Sequence, residues 1–286
     1  SASYASFLLA PLPAVLIAKL FGRPVVFNYH SGEAPDHLRR SALARHVMRT
    51  WVDLNVVPSG FLRHVLQGFG ISARVVPNTV DLHQFEYRAR DPLRPRLLCT
   101  RNFEDMYNVA CVLRAFAHVQ ARHPDATLTL VGSGSQEDSL RALALHLELR
   151  NVTFTGAIPP AEISRHYAEA DVFVQAPRID NMPLSVLEAF ASGLPVVSTD
   201  VGGVPHMLTH GVHGLLAPDD DDEAIAAWVL TLIESPSYAR RLAAAAHASC
   251  SAYTWSAARE GWLAAYEAAS DRRPSTVTPE PSRETT

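Results

Sequence analysis

Nine short apolar runs recur along the chain, PVVFNY, DLNVVPS, ARVVPN, RLLCT, ATLTLVG, NVTFTG, DVFVQA, LPVVST and HGLLAP, and amphipathic helical stretches fill the intervals between most of them. Runs that are apolar without in-and-out alternation suit strands covered on both faces, and such strands joined through helices assemble as a parallel sheet. The fold class expected is α/β. At 286 residues the chain exceeds the usual size of one domain, so two lobes are expected. The segment DLHQFEYRARDPLRP, Asp81 to Pro95, is polar, arginine-rich and punctuated by proline, which marks a linker. Four strands or fewer precede it. That is thin for an independent doubly wound lobe, and position 1 is not Met, so the reading is of a fragment whose N-terminal lobe is incomplete. Residues 1–90 are expected to form this partial Rossmann-like lobe and residues 91–250 a complete one. Residues 251–270 read as a helix, with Trp255, Trp262 and Tyr266 at spacings that suit one apolar face, and 271–286 as a disordered tail.

Composition narrows the chemistry. Hydrophobic content of 48% and charged content of 19% describe a soluble globular protein, and a net charge of −4 leaves no nucleic-acid footprint. Lys19 is the sole lysine, which excludes a lysine-nucleophile mechanism built elsewhere. Cys99, Cys111 and Cys250 lack the spacing of a disulfide framework or zinc knuckle, and a reducing cytoplasm fits them best. The 13 histidines include no HExxH pair, so no protein-held metal is expected. The first twenty residues are apolar but have no basic leader segment, and Pro11 and Pro13 break the run; they read as a core helix rather than a signal peptide or span.

The stretch RIDNMPLSVLEAFASGLPVVSTDVGG, Arg178 to Gly203, concentrates the candidate chemistry. Pro183 has no N–H and suits a helix start, so LSVLEAFAS is predicted to begin at or just after it, with Asp180 in the preceding loop. The strand DVFVQA feeds this loop, which places it at the carboxyl edge of a parallel sheet, where such sheets bind ligands. Free amides at Leu184 and Ser185 would offer an anion site. Glu188, about one turn into the helix, could accept hydrogen bonds from a ribose diol, and Asp180 from sugar hydroxyls. The competing structural reading makes Asp180 a helix cap and Glu188 an arginine partner on a solvated face. The Gly-Gly loop that follows is expected to approach a ligand closely.

The run IDNMPLSVLEAFASGLPVVSTDVGGVPHML resembles the donor-binding signature of glycosyltransferase family 4, retaining enzymes with the two-lobed GT-B fold. Asp180 stands where that signature carries its first glutamate, and Glu188 matches the second. VVPNTVDLHQF resembles the family's strand-to-linker element, LVGSGSQEDSLRAL its Gly-x-Gly turn at Gly132, and NVTFTGAIPPAEISRHYAEADVFVQAP the segment meeting the nucleobase. The helix containing Tyr253 to Tyr266 looks like the one that crosses back to the N-terminal lobe.

The resemblance implies a GT-B-like pair of lobes, with acceptor contacts in 1–90 and nucleotide-sugar contacts in 91–250. It implies transfer of a hexosyl group, with retention, from a nucleotide-diphosphate sugar to the hydroxyl of a glycan or lipid-linked acceptor. Arg101 would face the diphosphate, Asp180 the sugar hydroxyls and His30 the transferred sugar. Asn181, Met182, Pro183, Leu184, Ser185, Glu188 and Gly132 would bind donor. No cofactor is required; Mg²⁺ is compatible with the site without being implied by it. Tyr107 stands where the family places a lysine, which removes half of the expected cationic clamp. Two rival readings are a non-catalytic fragment that binds sugar nucleotides and a sugar-nucleotide 2-epimerase. The expected location is the cytoplasm, with LRRSALARHVMRTW, Leu38 to Trp51, read as an ordinary solvated helix more readily than as a peripheral contact with the inner membrane face.

Overall fold

The computed structural model describes residues 7–271. In chain order it runs α1 (Pro11–Leu20), β1 (Val26–Asn28), α2 (Ala34–Arg40), α3 (Ala42–Thr50), β2 (Leu54–Val57), α4 (Gly60–Gly68) and β3 (Ala73–Val75). After an irregular stretch come β4 (Arg96–Thr100), α5 (Val109–Arg122), β5 (Thr127–Val131), α6 (Glu137–His146), β6 (Val152–Gly156), α7 (Ile163–Glu169) and β7 (Val172–Val174). The chain continues through α8 (Leu184–Ala191), β8 (Val196–Thr199), β9 (Leu215–Ala217), α9 (Asp222–Glu234), α10 (Pro236–Ser249) and α11 (Trp255–Ser270). Each of the nine apolar runs contains one strand. They form two sheets, β1-β2-β3 and β6-β5-β4-β7-β8-β9, and every strand pair in both is parallel.

The larger sheet reverses its winding between β4 and β7, which is where a doubly wound sheet opens a crevice at its carboxyl edge. Its strands bury both faces. Leu97 and Cys99 pack into one core with α5 and α9, while their neighbour Leu98 packs into the other with Tyr167 and α8. Covering both faces removes any reason for alternation, hence the continuous apolar runs. The smaller sheet is closed differently. Val57, Leu62 and Leu66 occupy one core with α2 and α3, and the opposite face, Val56 with Val76, is covered by Ala258 and Ala265 of α11.

Two expectations need correction. Of α1, only Val15 is buried, and Leu16, Ile17, Leu20 and Phe21 are exposed, so the opening apolar segment joins the core through Phe7 and Val15 and leaves the rest of its apolar surface open. On α11 the packed face is Ala258, Ala265 and Ala269, with Trp262 half-buried and Trp255 and Tyr266 exposed. At about 100° per residue the aromatic stripe lies roughly 60° around the helix from the alanines. Small side chains let the helix lie close to the sheet, and the rings border the contact. The segment 81–95 runs without helix or strand between β3 and β4 and is pinned at Arg90. Arg90 is 3% exposed and donates to the carbonyls of Ala170 at 3.2 Å and Tyr167 at 2.8 Å, and also to those of Ser192 and Arg88. The apolar side of α3 faces the core through Ala44, Val47 and Met48, leaving Leu43 as its exposed large apolar residue, as a solvated helix would. The tail expected from 271 lies outside the described residues beyond Asp271.

Candidate active site

The loops after β4, β5 and β7 and the start of α8 converge on a cleft of about 570 Å³ at the switch between β4 and β7. The β5 loop reaches it through glycine. Gly132 has φ +143°, and a Cβ there would lie 2.1 Å from the Arg101 carbonyl oxygen; at Gly134 it would lie 2.5 Å from that of Phe103. The Gly-x-Gly turn therefore lets two backbones touch, and it carries Gly132 into the cleft wall.

Arg101 leaves the end of β4 with its side chain 9% exposed. Its guanidinium donates from Nη1 to Ser185 Oγ at 3.2 Å, pairs through Nη2 with Asp180, and lies 4.1 Å over the Tyr107 ring. Its Nε is buried without an acceptor among the described residues. A fixed, half-satisfied cationic fork in a cleft is suited to an anion. Tyr107, standing where a lysine was expected, holds the one cation through its ring face.

Helix α8 starts where the sequence predicts. Pro183 is its N-cap at φ −65°, no side chain among the described residues caps it, and Leu184 and Ser185 of its first turn line the cleft. Asp180 does not cap it either: one oxygen accepts from the Asn181 amide at 2.7 Å and the other is held by Arg101. Glu188, one turn on, is ion-paired with no arginine among the described residues. The buried Tyr167 hydroxyl accepts from Thr100 Oγ1 at 2.7 Å and donates to Glu188 Oε2 at 2.7 Å. Burial raises the Glu188 carboxyl above the ordinary carboxylate range, opposed by the Tyr167 hydrogen bond and the Arg101 charge. Burial, reinforced by the Glu188 charge, likewise keeps the Tyr167 phenol protonated.

Eight of the ten residues expected at the site line this cleft: Arg101, Gly132, Asp180, Met182, Pro183, Leu184, Ser185 and Glu188. His30 and Asn181 do not. Asn181 instead donates from Nδ2 to the His30 carbonyl at 2.6 Å, tying the loop after β1 to the loop after β7. The His30 ring donates from Nε2 to Asn28 Oδ1, 2.9 Å away, and desolvation by surrounding protein lowers its pKa although the residue remains exposed.

The Gly-Gly loop also departs from expectation. A Cβ on Gly202 would lie 2.1 Å from the Asp180 carbonyl oxygen, and one on Gly203 would lie 1.6 Å from that of Asn181. The Gly203 amide donates to the Asp180 carbonyl at 2.8 Å. These glycines brace the acid-bearing loop, and neither lines the cleft. Sequence reasoning missed Tyr167, Thr100 and Asn78. Asn78 donates through Nδ2 to the Met182 carbonyl at 3.1 Å, and nothing local to any of the three residues signals those contacts.

Residues 84–249 match the family model described as glycosyl transferases group 1, and residues 4–84 match that of glycosyltransferase family 4. The glycogen synthase of Mycobacterium tuberculosis is 28% identical over 249 residues, an alignment covering 82% of this chain and 60% of that protein. The D-inositol 3-phosphate glycosyltransferase of Segniliparus rotundus is 31% identical over 209 residues, covering 68% and 46% respectively. The chain thus spans about half to three fifths of the length of these relatives. Among solved structures, Anabaena HepE in complex with UDP-glucose superposes with a TM-score of 0.80 at 20% identity, covering 89% of this chain and 75% of that one. That likeness is one of fold, the GT-B arrangement of parallel sheets. With its larger sheet wholly inside the matched 84–249 segment, the chain belongs to the glycosyl transferases group 1 family.

Proposed function

We propose that the protein transfers a hexosyl group, with retention, from a nucleotide-diphosphate sugar to the hydroxyl of a glycan or lipid-linked acceptor. The observation that carries this reading is the convergence, in one cleft, of the uncapped amides at Leu184 and Ser185, the Arg101 fork with its unpaired Nε, and the Glu188 carboxylate. The diphosphate rests against the amides and Arg101, where fixed donors stabilise charge developing on the leaving group. Glu188, oriented by Tyr167, accepts from the ribose diol. Asp180 retains lone pairs for sugar hydroxyls while it holds Arg101.

The reaction runs on the front face of the sugar. The bond from the anomeric carbon to the diphosphate oxygen breaks, the acceptor oxygen bonds to that carbon on the same side, and the acceptor proton passes to the departing diphosphate. His30 approaches the sugar from the loop after β1, held by Asn181. Positioning and leaving-group stabilisation then supply the rate enhancement. No helix among the described residues is long and apolar enough to cross a membrane. Any lipid-linked acceptor would be met at a bilayer surface, and the cytoplasmic leaflet is the proposed one.

The test is a thermal-shift screen of nucleotide sugars on the full chain, followed by an acceptor assay with the best donor. A ligand at 100 times its Kd stabilises the folded state by about 2.7 kcal/mol, a readily measured shift. The expected result is stabilisation by one nucleotide family, lost in Glu188→Ala, with anomeric configuration preserved in the product by NMR. Absence of stabilisation by any nucleotide or nucleotide sugar would overturn the donor assignment; inverted product would overturn the stereochemical one.

A further inference from the structure

The smaller sheet has a second concavity at its opposite edge. The carboxyl ends of β1 to β3 lead towards the active-site cleft, whereas the amino ends of β2 and β3 border a pocket of about 600 Å³. Three arginines converge on it from separate elements: Arg49 from the end of α3, Arg63 from α4 and Arg74 from β3. None of the three is ion-paired among the described residues, and Arg74 Nη1 is buried without an acceptor there. Arg49 spends its Nε on the Arg45 carbonyl at 3.2 Å.

The same wall holds one acid, Asp53, whose Oδ2 accepts from Lys19 Nζ at 2.6 Å and from the Val25 amide at 2.7 Å, so its charge is matched by a lysine. Asn55 is clamped across the floor, donating from Nδ2 to the Met48 carbonyl at 2.9 Å and the Ser72 carbonyl at 3.2 Å. Its Oδ1 is buried and receives no hydrogen bond among the described residues. The wall therefore offers three guanidiniums, one of them with a buried unsatisfied donor, and one buried unsatisfied acceptor.

We propose that this pocket is a binding site for a phosphate group, either inorganic phosphate or a phosphomonoester, separate from the donor cleft. Guanidinium forks match phosphate oxygens, and three from different elements surround a compact anion of two negative charges better than a planar carboxylate. The phosphate can be free or displayed on a lipid headgroup, and the chemistry of recognition is the same. This inference stands independently of the donor assignment.

The experiment is calorimetric titration of inorganic phosphate into the full chain carrying Arg101→Gln, so that the donor cleft does not contribute, at constant ionic strength. Saturable binding is expected, and Arg74→Gln in that background weakens it by about tenfold or more. Arg63→Gln, a change on an exposed helix surface, does the same and keeps the test valid where Arg74→Gln folds poorly. No binding in the Arg101→Gln chain, or binding that neither arginine variant alters, overturns the proposal. Flotation with phosphatidic acid vesicles, compared with phosphatidylcholine alone, distinguishes the sources. Flotation abolished by Arg63→Gln identifies a headgroup, and retained phosphate binding without flotation identifies a free phosphate. UDP affinity in otherwise unaltered chain stays unchanged by Arg63→Gln; its loss would mean that the arginine acts on the fold.

Discussion

The larger sheet draws both of its covers from the residues between its own strands and the helices that directly follow, while the smaller sheet takes one cover from α2 to α4 and the other from α11, about 180 residues further along. The same contrast holds at the cleft. Arg101, Tyr167, Asp180 and Glu188 are held by hydrogen bonds within the larger sheet's own segment, whereas the loop bearing His30 meets that segment through the Asn181 side-chain amide and through Gly32 beside Ile179 and Met106. One side of the cleft is pre-formed, and the other is positioned by a few contacts across it. Donor binding should therefore be a robust property of the larger sheet, and alignment with the acceptor a fragile one.

The hardest test of that contrast removes α11. A chain ending at Thr254 should expose the Val56 and Val76 face and lose the cooperative melting of the smaller sheet, while the larger sheet stays folded and keeps any affinity the full chain has for its proposed donor nucleotide. Hydrogen exchange resolved by segment reads both outcomes, and uniform loss of protection would erase the distinction. Next in size is Gly203→Ala, whose Cβ would overlap the Asn181 carbonyl. Relaxation of that overlap should cost about 3 kcal/mol in a urea melt and displace Asp180, weakening donor binding as well.

Arg101→Gln removes a charge-assisted contact and should weaken binding of the proposed donor nucleotide by about 1.5–3 kcal/mol, roughly 10- to 150-fold in Kd by calorimetry. Glu188→Gln separates binding from stability. Its carboxyl is raised by burial, so the protonated form is the one the fold prefers. That contribution is present below the ordinary carboxylate range and is lost as pH rises through the raised value. At neutral pH Glu188→Gln should therefore be as stable as the parent chain or more so, with the difference shrinking on acidification, while affinity for the proposed donor nucleotide falls by about tenfold. A large loss of stability at neutral pH would contradict the assigned direction. The smallest effect belongs to Tyr107→Leu: removing the ring under the Arg101 guanidinium should weaken that binding by about 1 kcal/mol.

Much of this was legible before any coordinates. Buried parallel strands write themselves as uninterrupted apolar runs, and Pro183 sets the start of α8, so the elements and the position of the acid-bearing loop follow from local rules. The pairings do not. Asp180 and Arg101 are 79 residues apart, and nothing near either says that they bind each other. Tyr167 is buried on α7, and its polar role appears only once Thr100 and Glu188 are placed at its hydroxyl. The Gly-Gly loop was readable as a site of close approach, but what it approaches is backbone 22 residues upstream. The aromatics of α11 misled for a related reason: periodicity locates a stripe, and the partner surface decides which edge of it is packed.

The cover that α11 provides also sets an order of events during synthesis. As the polypeptide leaves the ribosome from its amino end, β1, β2 and β3 emerge long before Ala258 and Ala265. The larger sheet can close in the meantime. Until the last helix arrives, one side of the smaller sheet is bare hydrocarbon, so nascent chains stalled in this window are the species that chaperones would be expected to hold.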